Sequence, residues 1–208
     1  MSRYTGPKLR KIRRLGEDFA VAADRSTAKK FIKSHHKQPP GLHGHTNVFR
    51  KHTGYGLQLR EKQKARIFYH ISEKQMRRYY VMASQQKGSP SDNLIQILES
   101  RLDNVIYRAG FANSHPQARQ WVSHRQFSLN GKRVSVPSIL VKPNDKIEFA
   151  AGKSKAKDTM MATAKENKPM AWLKVDTEKL TIEIKNLPQR SEIDLPVNEQ
   201  LIIEFYSR

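Results

Sequence analysis

From Leu57 onward the chain takes on helical spacing. "LQLREKQKARIFYHI" (57–71) is rich in helix formers, and Glu61 stands one turn ahead of Lys64, where the two can pair; this helix is expected to end near His70. Ser72 then suits an N-cap, with Gln75 three residues on to close a capping box. Ile71 before the cap and Met76 after it match a hydrophobic staple. A second helix is therefore expected from Glu73 to about Gln86, stopped by Gly88. In "SPSDNLIQILESRLDNVIYRAGF" (89–111), Leu94, Leu98, Leu102, Val105, Ile106 and Ala109 make one apolar stripe, which predicts a single helix closed by Gly110. Ser114 and Gln117 suggest a second box, with Pro116 tolerated in the first turn of "HPQARQWVSH" (115–124).

The period then falls to two. "FSL" and "KRV" flank Asn130-Gly131, the strongest short signal for a type I′ hairpin. "SILV" and "KIEF" flank a Pro-Asn-Asp turn and suggest another. Residues 92–150 thus read as helix, helix and a small four-stranded sheet. "AGKSKAKDTMMATAKENKP" (151–169) reads as a linker or an exposed helix. "LTIEIK" (180–185) and "QLIIEFY" (200–206) read as strands or buried extended segments. Residues 1–56 are weakly periodic, and "KQPPGLHGH" (37–45) is loop by its Pro-Pro-Gly. Arms and turns are expected there, with one short helix near 17–33. The fold class is α+β.

Charge changes the picture more than any other total. The 208 residues carry 39 Lys and Arg against 19 Asp and Glu, a net charge of +20. Residues 1–90 hold 21 of these cations against 5 acids, residues 91–150 hold 8 against 5, and residues 151–208 hold 10 against 9. A surface polarised in this way points to a binding face for a polyanion rather than to a solubility device. With no cysteine, disulfides, thiolate zinc sites and cysteine nucleophiles are excluded. No apolar run approaches the roughly 18 residues of a membrane span, so no membrane partner is expected.

Enzyme signatures are nearly absent. "GYGLQL" (54–59) lacks the third glycine of a dinucleotide fingerprint, and neither a Walker loop nor HExxH occurs. His43-Gly44-His45 could chelate a metal weakly, but no carboxylate or thiol lies near in sequence to complete a tetrahedron, so no metal and no cofactor is expected. The positive finding is basic residues interleaved with aromatics. Arg3, Lys8, Arg10, Lys11, Arg13 and Arg14 fill "RYTGPKLRKIRR" (3–14). Arg50, Lys51, Tyr55, Arg60, Lys62, Lys64, Arg66 and Tyr69 follow in 50–70, and Lys74, Arg77 and Arg78 in "KQMRRYY" (74–80). Cations bind phosphates and aromatic faces stack on bases. A single such stretch would more often be a solvated helix face; three in succession with so few acids favour RNA, with His43 as a further donor.

"LESRLDNVIYRAGFANSHPQARQWVSHRQFSLNGKRV" (98–134) resembles the small RNA-binding module named after small-subunit ribosomal protein S-four. The matching features are Leu98-Glu99, Arg101-Leu102, Ser114, Ala118-Arg119-Gln120, Val122, His124, and Asn130-Gly131 followed by bases. The module also occurs in some pseudouridine synthases, tyrosyl-tRNA synthetases and stress proteins. The flanks "RYTGPKLRKIRRLG", "PPGLHG", "YGLQLREKQKARIFY", "ISEKQMRRYY" and "LPVNEQLIIEFYSR" resemble the bacterial ribosomal family itself. The resemblance implies a basic N-terminal arm (1–43) and a helical rRNA-binding domain (44–91, completed by 176–208). It also implies an inserted module (92–175) of two helices packed on a four- to five-stranded antiparallel sheet. Its implied role is structural: binding 16S rRNA directly, nucleating assembly of the 5′ domain, contacting small-subunit protein five and lining the channel by which mRNA enters, with an influence on decoding accuracy, in the cytoplasmic ribosome. Some members repress translation of their own operon. From the module, Arg101, Arg108, Arg119, His124, Asn130, Lys132 and Arg133 are expected at the RNA; for Arg101 an ion pair with the Glu99 or Asp103 region is an even alternative. Three departures stand out. The zinc-binding cysteines of many relatives are missing, "HTNVFRKHTG" (45–54) and 17–37 diverge, and Trp121 replaces an aliphatic residue.

Two rivals belong to other classes. An RNA-modifying enzyme using the same module would need a catalytic domain, for which 1–90 is too basic and 151–208 too short. A DNA-compacting protein suits the charge but not the module.

Overall fold

The computed structural model describes residues 4, 6–16, 25–34, 38–47, 51, 53–150 and 155–208. It divides into two compact units, residues 1–94 with 194–208 and residues 95–193.

The first unit is helical. Helix α1 (Lys8–Leu15) was not expected; it follows Pro7 at its N-cap, buries Ile12 and Leu15 one turn apart, and ends at Gly16 with φ +107°. It packs against α2 (Arg25–Ile32), where Phe31 and Thr27 are buried, so two short basic helices share one small apolar seam. The rest of the helix expected near 17–33 lies outside the described residues. A single turn, α3 (Gly44–Asn47), follows the Pro-Pro-Gly loop.

Helix α4 (Gly54–Phe68) starts three residues before the expected point, because the Thr53 hydroxyl accepts from Gly56 N at 3.2 Å and caps it. Its buried face is Gln58, Lys62, Ala65 and Phe68, so two polar residues lie where an apolar stripe would be looked for. Helix α5 (Glu73–Gln85) begins at Ser72, whose hydroxyl accepts from Gln75 N at 3.4 Å. The Gln75 side chain donates to the Tyr79 hydroxyl instead, leaving the capping box half made. Ile71 and Met76 are both buried, as the staple requires.

The second unit packs helices on a sheet. The expected single helix over 89–111 is two, α6 (Pro90–Glu99) and α7 (Leu102–Arg108). Arg101 is extended between them, because residues 137–141 run alongside the break. Val141 N donates to Ser100 O at 2.9 Å, and Leu102 N to Ile139 O at 2.9 Å. That contact also takes "SILV" out of the sheet, leaving only the bridge Arg101–Leu140. Helix α8 (His115–Ser123) has no side-chain cap; Gln117 accepts from Asn113 N rather than closing a box with Ser114.

The sheet has five antiparallel strands in the order β2 (Lys132–Val134), β1 (Phe127–Leu129), β3 (Lys146–Phe149), β5 (Thr181–Ile184), β4 (Leu173–Asp176). Phe127, Ile147, Ile182, Leu173 and Ile184 face the helices and form the core with Val105, Ile106, Trp121 and Val122. Helix α9 (Lys155–Glu166) is not an exposed linker helix, since Met160 and Ala164 are buried in that core. "LTIEIK" is β5, as expected. "QLIIEFY" is helix α10 (Glu199–Tyr206), not a strand.

The hairpin has the predicted turn, with φ +49° at Asn130 and +80° at Gly131. A Cβ added at Gly131 would meet nothing within 4 Å, so a substitution there tests backbone strain alone. A β-branched residue held left-handed costs about 1–2 kcal/mol. Gly131→Val should therefore lower the melting temperature of the intact chain by about 2–8 °C. An unchanged melting curve would refute the turn's role.

Candidate RNA-binding interface

Helix α10 is fastened to α4 and α5 by polar contacts. The Asn198 side chain caps it, accepting from Gln200 N and Leu201 N, while Asn198 N donates to Glu61 Oε2 at 3.0 Å. Glu61 Oε1 takes the Lys64 ammonium at 2.6 Å, the pair the sequence spacing suggested. Gln58 donates to Glu204 at 2.9 Å. Buried Lys62 reaches Glu73 at 3.0 Å and lies 4.1 Å from the centre of the Phe205 ring. Glu73 also takes Arg66 at 2.7 Å and the Tyr206 hydroxyl at 2.7 Å, with Tyr206 stacked on Tyr80. Lys62, Lys64 and Arg66, expected at RNA, are thus bound into the frame, and Tyr69 is buried within it.

Burial alone would raise the Glu73 carboxyl, but Tyr206, Lys62 and Arg66 overcome that and hold it below its ordinary 4.5. Burial, then Glu73, pushes the Tyr206 phenol up. The Glu73 contribution is therefore present above the ordinary carboxyl range and lost as pH falls through the depressed value. Tyr206→Phe keeps the ring and removes the hydrogen bond. Since the Glu73 side chain is 44% exposed, the cost should be modest, about 1 kcal/mol at neutral pH. Urea melts of variant and wild type should converge in acid; a deficit that persists there would place the effect in packing.

Several other described cations of this unit are exposed. Lys74, Arg77 and Arg78 are exposed on one side of α5, as are Arg10 and Arg14 on α1, Lys51 before α4, and His43. Tyr55 is half-exposed at the start of α4. Lys8, Lys11 and Arg13 are partly covered; the Arg13 guanidinium donates to Gln38 O at 2.8 Å, and Lys11 Nζ sits 3.2 Å from the centre of the Tyr4 ring. Arg60 Nη2 donates to Leu15 O at 2.6 Å and so closes the last turn of α1. Arg3 and Arg50 lie outside the described residues.

In the second unit three expected RNA contacts turn inward. Arg101 is 0% exposed and grips Asp103 with two bonds, 3.0 and 2.6 Å, so the ion-pair alternative is the one realised. Arg119 approaches the same carboxylate at 3.7 Å. Arg108 grips Glu99 at 3.0 and 2.6 Å, and Asn104 donates to the same Glu99 side chain at 2.6 Å. His115 Nε2 faces Asn104 Oδ1 at 3.0 Å. Because the Asn104 amide nitrogen is spent on Glu99, its oxygen faces the histidine, which makes Nε2 the donor. Asn130 is exposed, but its side chain donates to Asp145 and accepts from Lys146 N, so it staples the hairpin to β3.

His124, Lys132 and Arg133 do reach the surface. Arg133 Nη2 donates to Ala150 O at 2.6 Å, and Ala150 N donates to Gln126 O at 2.8 Å, which draws the hairpin cation up to the end of α8. Arg125, at φ +58° and not among the expected contacts, is exposed next to His124. The open face of the sheet is self-neutralising. Cross-strand register sets Arg133, Lys146 and Lys174 among Glu148, Glu183 and Asp176, with Lys146–Glu148 paired at 2.8 Å and Lys174–Glu183 at 2.9 Å. Among the described residues no cluster suits a metal ion, and no helix is long and apolar enough to cross a membrane.

The described residues thus form a helical unit with exposed cations and a unit of helices packed on an antiparallel sheet, an α+β protein of the class expected to bind a polyanion. The family "Ribosomal protein S4/S9 N-terminal domain" matches residues 3–99, and the "S4 domain" matches residues 100–147. The chain is 47% identical over 212 residues to the small ribosomal subunit protein uS4 of Acetivibrio thermocellus. It is 44% identical over 208 residues to that of Dictyoglomus turgidum and 46% identical over 213 to that of Mycolicibacterium smegmatis, each match covering 100% of both chains. The chain belongs to the small ribosomal subunit protein uS4 family, whose members are structural components of the small subunit and not enzymes.

Proposed function

We propose that this protein binds the 16S rRNA of the small subunit directly and nucleates assembly of its 5′ domain. In the assembled subunit it contacts small-subunit protein five and borders the channel by which mRNA enters, contributing to decoding accuracy. Family membership supports this reading, and the relatives' name places them in the small subunit. The observation that carries it is the segregation of charge: residues 1–90 hold 21 Lys and Arg against 5 Asp and Glu, and the exposed cations of α1 and α5 lie in that part.

The contacts follow from exposure. Arg10, Arg14, Lys51, Tyr55, Lys74, Arg77 and Arg78 bind RNA from the first unit, with His43 beside them; Arg3 and Arg50 join them from sequence alone. His124, Arg125, Lys132 and Arg133 bind from the second. Arg101, Arg108, Arg119 and Lys62 act by holding the scaffold. Residues 1–94 with 194–208 form the main rRNA-binding domain, and 95–193 form the inserted module.

The test is a salt titration. With six to ten phosphate contacts, filter binding to small-subunit rRNA should weaken by roughly 10³ to 10⁵ between about 50 and 200 mM salt. A flat response would overturn the reading.

A further inference from the structure

Helices α1 and α4, with Tyr4 and the His70-Ile71-Ser72 turn, line two adjacent open chambers that share Tyr4, Lys11, Gln63 and Ile67 as walls. The larger, about 760 Å³, is lined by apolar Pro7, Leu15, Leu59 and Ile67 and by Arg10, Arg14 and Arg60. The smaller, about 210 Å³, is lined by Lys8, Lys11, Arg66 and His70. Among the described residues no carboxylate lines either chamber, and Arg66 is paired with Glu73 at 2.7 Å. We infer that this double cleft receives one unpaired nucleotide of the bound RNA, its base in the apolar chamber and its phosphate in the cationic one.

The fit is chemical and geometric. A volume of about 760 Å³ lies within the usual range of roughly 300–1,000 Å³ for small-ligand pockets and admits a nucleobase. Backbone binding needs only an exposed basic ridge, which α5 already supplies. A lining that combines apolar side chains with three guanidinium groups suits a splayed-out base, the usual target of RNA recognition beyond the backbone. Lys11 stands on the dividing wall, its ammonium over the Tyr4 ring, where it can meet a phosphate of the nucleotide whose base enters next door. Burial, and then the nearby Arg66 charge, hold that ammonium below the ordinary lysine range.

The inference rests on the rRNA-binding reading for the source of the nucleotide, while the cleft itself can be probed without rRNA. Adenosine 3′,5′-bisphosphate, titrated into the intact chain, should give saturable methyl NMR shifts at Leu15, Leu59 and Ile67. Inorganic phosphate should leave Leu15 and Leu59 unmoved. Leu59→Trp, which fills the base chamber, should abolish these shifts and weaken small-subunit rRNA binding about tenfold, as loss of one base contact does. Lys11→Met, on a partly exposed side chain, should lower the salt slope by about one and weaken the bisphosphate shifts, which keeps the test alive if the tryptophan variant melts early. Silent methyls, equal shifts with inorganic phosphate, or wild-type behaviour of Lys11→Met in both assays would overturn the cleft assignment. If wild type fails to retain rRNA while the methyls respond, the rRNA reading falls and the nucleotide cleft stands; rRNA retention with silent methyls does the reverse.

Discussion

Glu99→Ala is expected to destabilise the module of helices and sheet severely while leaving the helical unit as stable as before. The Glu99 side chain is 0% exposed and accepts two bonds from the Arg108 guanidinium and one from Asn104, while Arg108 is itself 8% exposed. Removing the carboxylate strands a guanidinium in the interior, which costs about 3–5 kcal/mol. Against a typical domain stability of about 5–15 kcal/mol, that is a large share of the margin. The measurement is clean because Trp121 and Trp172, the chain's two tryptophans, both lie in residues 95–193. Urea melts followed by tryptophan fluorescence should shift to much lower denaturant. Melts followed by helical circular dichroism should split into two transitions. Replacing both partners, Glu99→Met with Arg108→Met, should recover much of the loss, since an apolar pair leaves no stranded charge and Asn104 still donates to Glu99 O. A single variant with a wild-type fluorescence melt would show that the network is ornamental.

The buried network also marks the limit of what the sequence could reveal. Helix α5, its Ser72 cap and the Asn130-Gly131 turn were legible because each is written in a few adjacent residues. The break at Ser100-Arg101 was not, because the apolar stripe runs unbroken through it. What splits the helix is hydrogen bonding from residues 137–141, some forty positions away in sequence. The same contact explains why "SILV" alternates like a strand yet pairs with Arg101 rather than with the sheet. "QLIIEFY" misled differently. Its short apolar run has no clear period, and the deciding facts are the Asn198 cap and the polar seats that Gln58, Lys62 and Glu73 offer to Glu204, Phe205 and Tyr206. The exposed cations of the first and fifth helices were readable as a charge excess. The burial of Arg101, Arg108 and Arg119 was not legible, because residue type cannot show which way an arginine faces when an acid two to sixteen positions away binds it in the core.

That inward turn sharpens where affinity should reside. Reversing Lys74, Arg77 and Arg78 together to glutamate is expected to weaken small-subunit rRNA binding by on the order of a hundredfold or more, and to reduce the salt slope by roughly 2–3, the share of three phosphate contacts. The three side chains are exposed on one side of α5, and Lys74 lies in its first turn, where a carboxylate favours the helix dipole, so melting should be nearly unchanged. The matched reversal in the module, Lys132→Glu with Arg133→Glu, removes two exposed cations beside a sheet whose open face is already neutralised by Glu148, Glu183 and Asp176. It should cost less than about tenfold, with a slope change of one to two at most. Filter binding across a salt series separates the two variants. If the module reversal proved the more damaging, the hairpin rather than α5 would be the principal phosphate-binding surface, and the excess charge of residues 1–90 would need another partner.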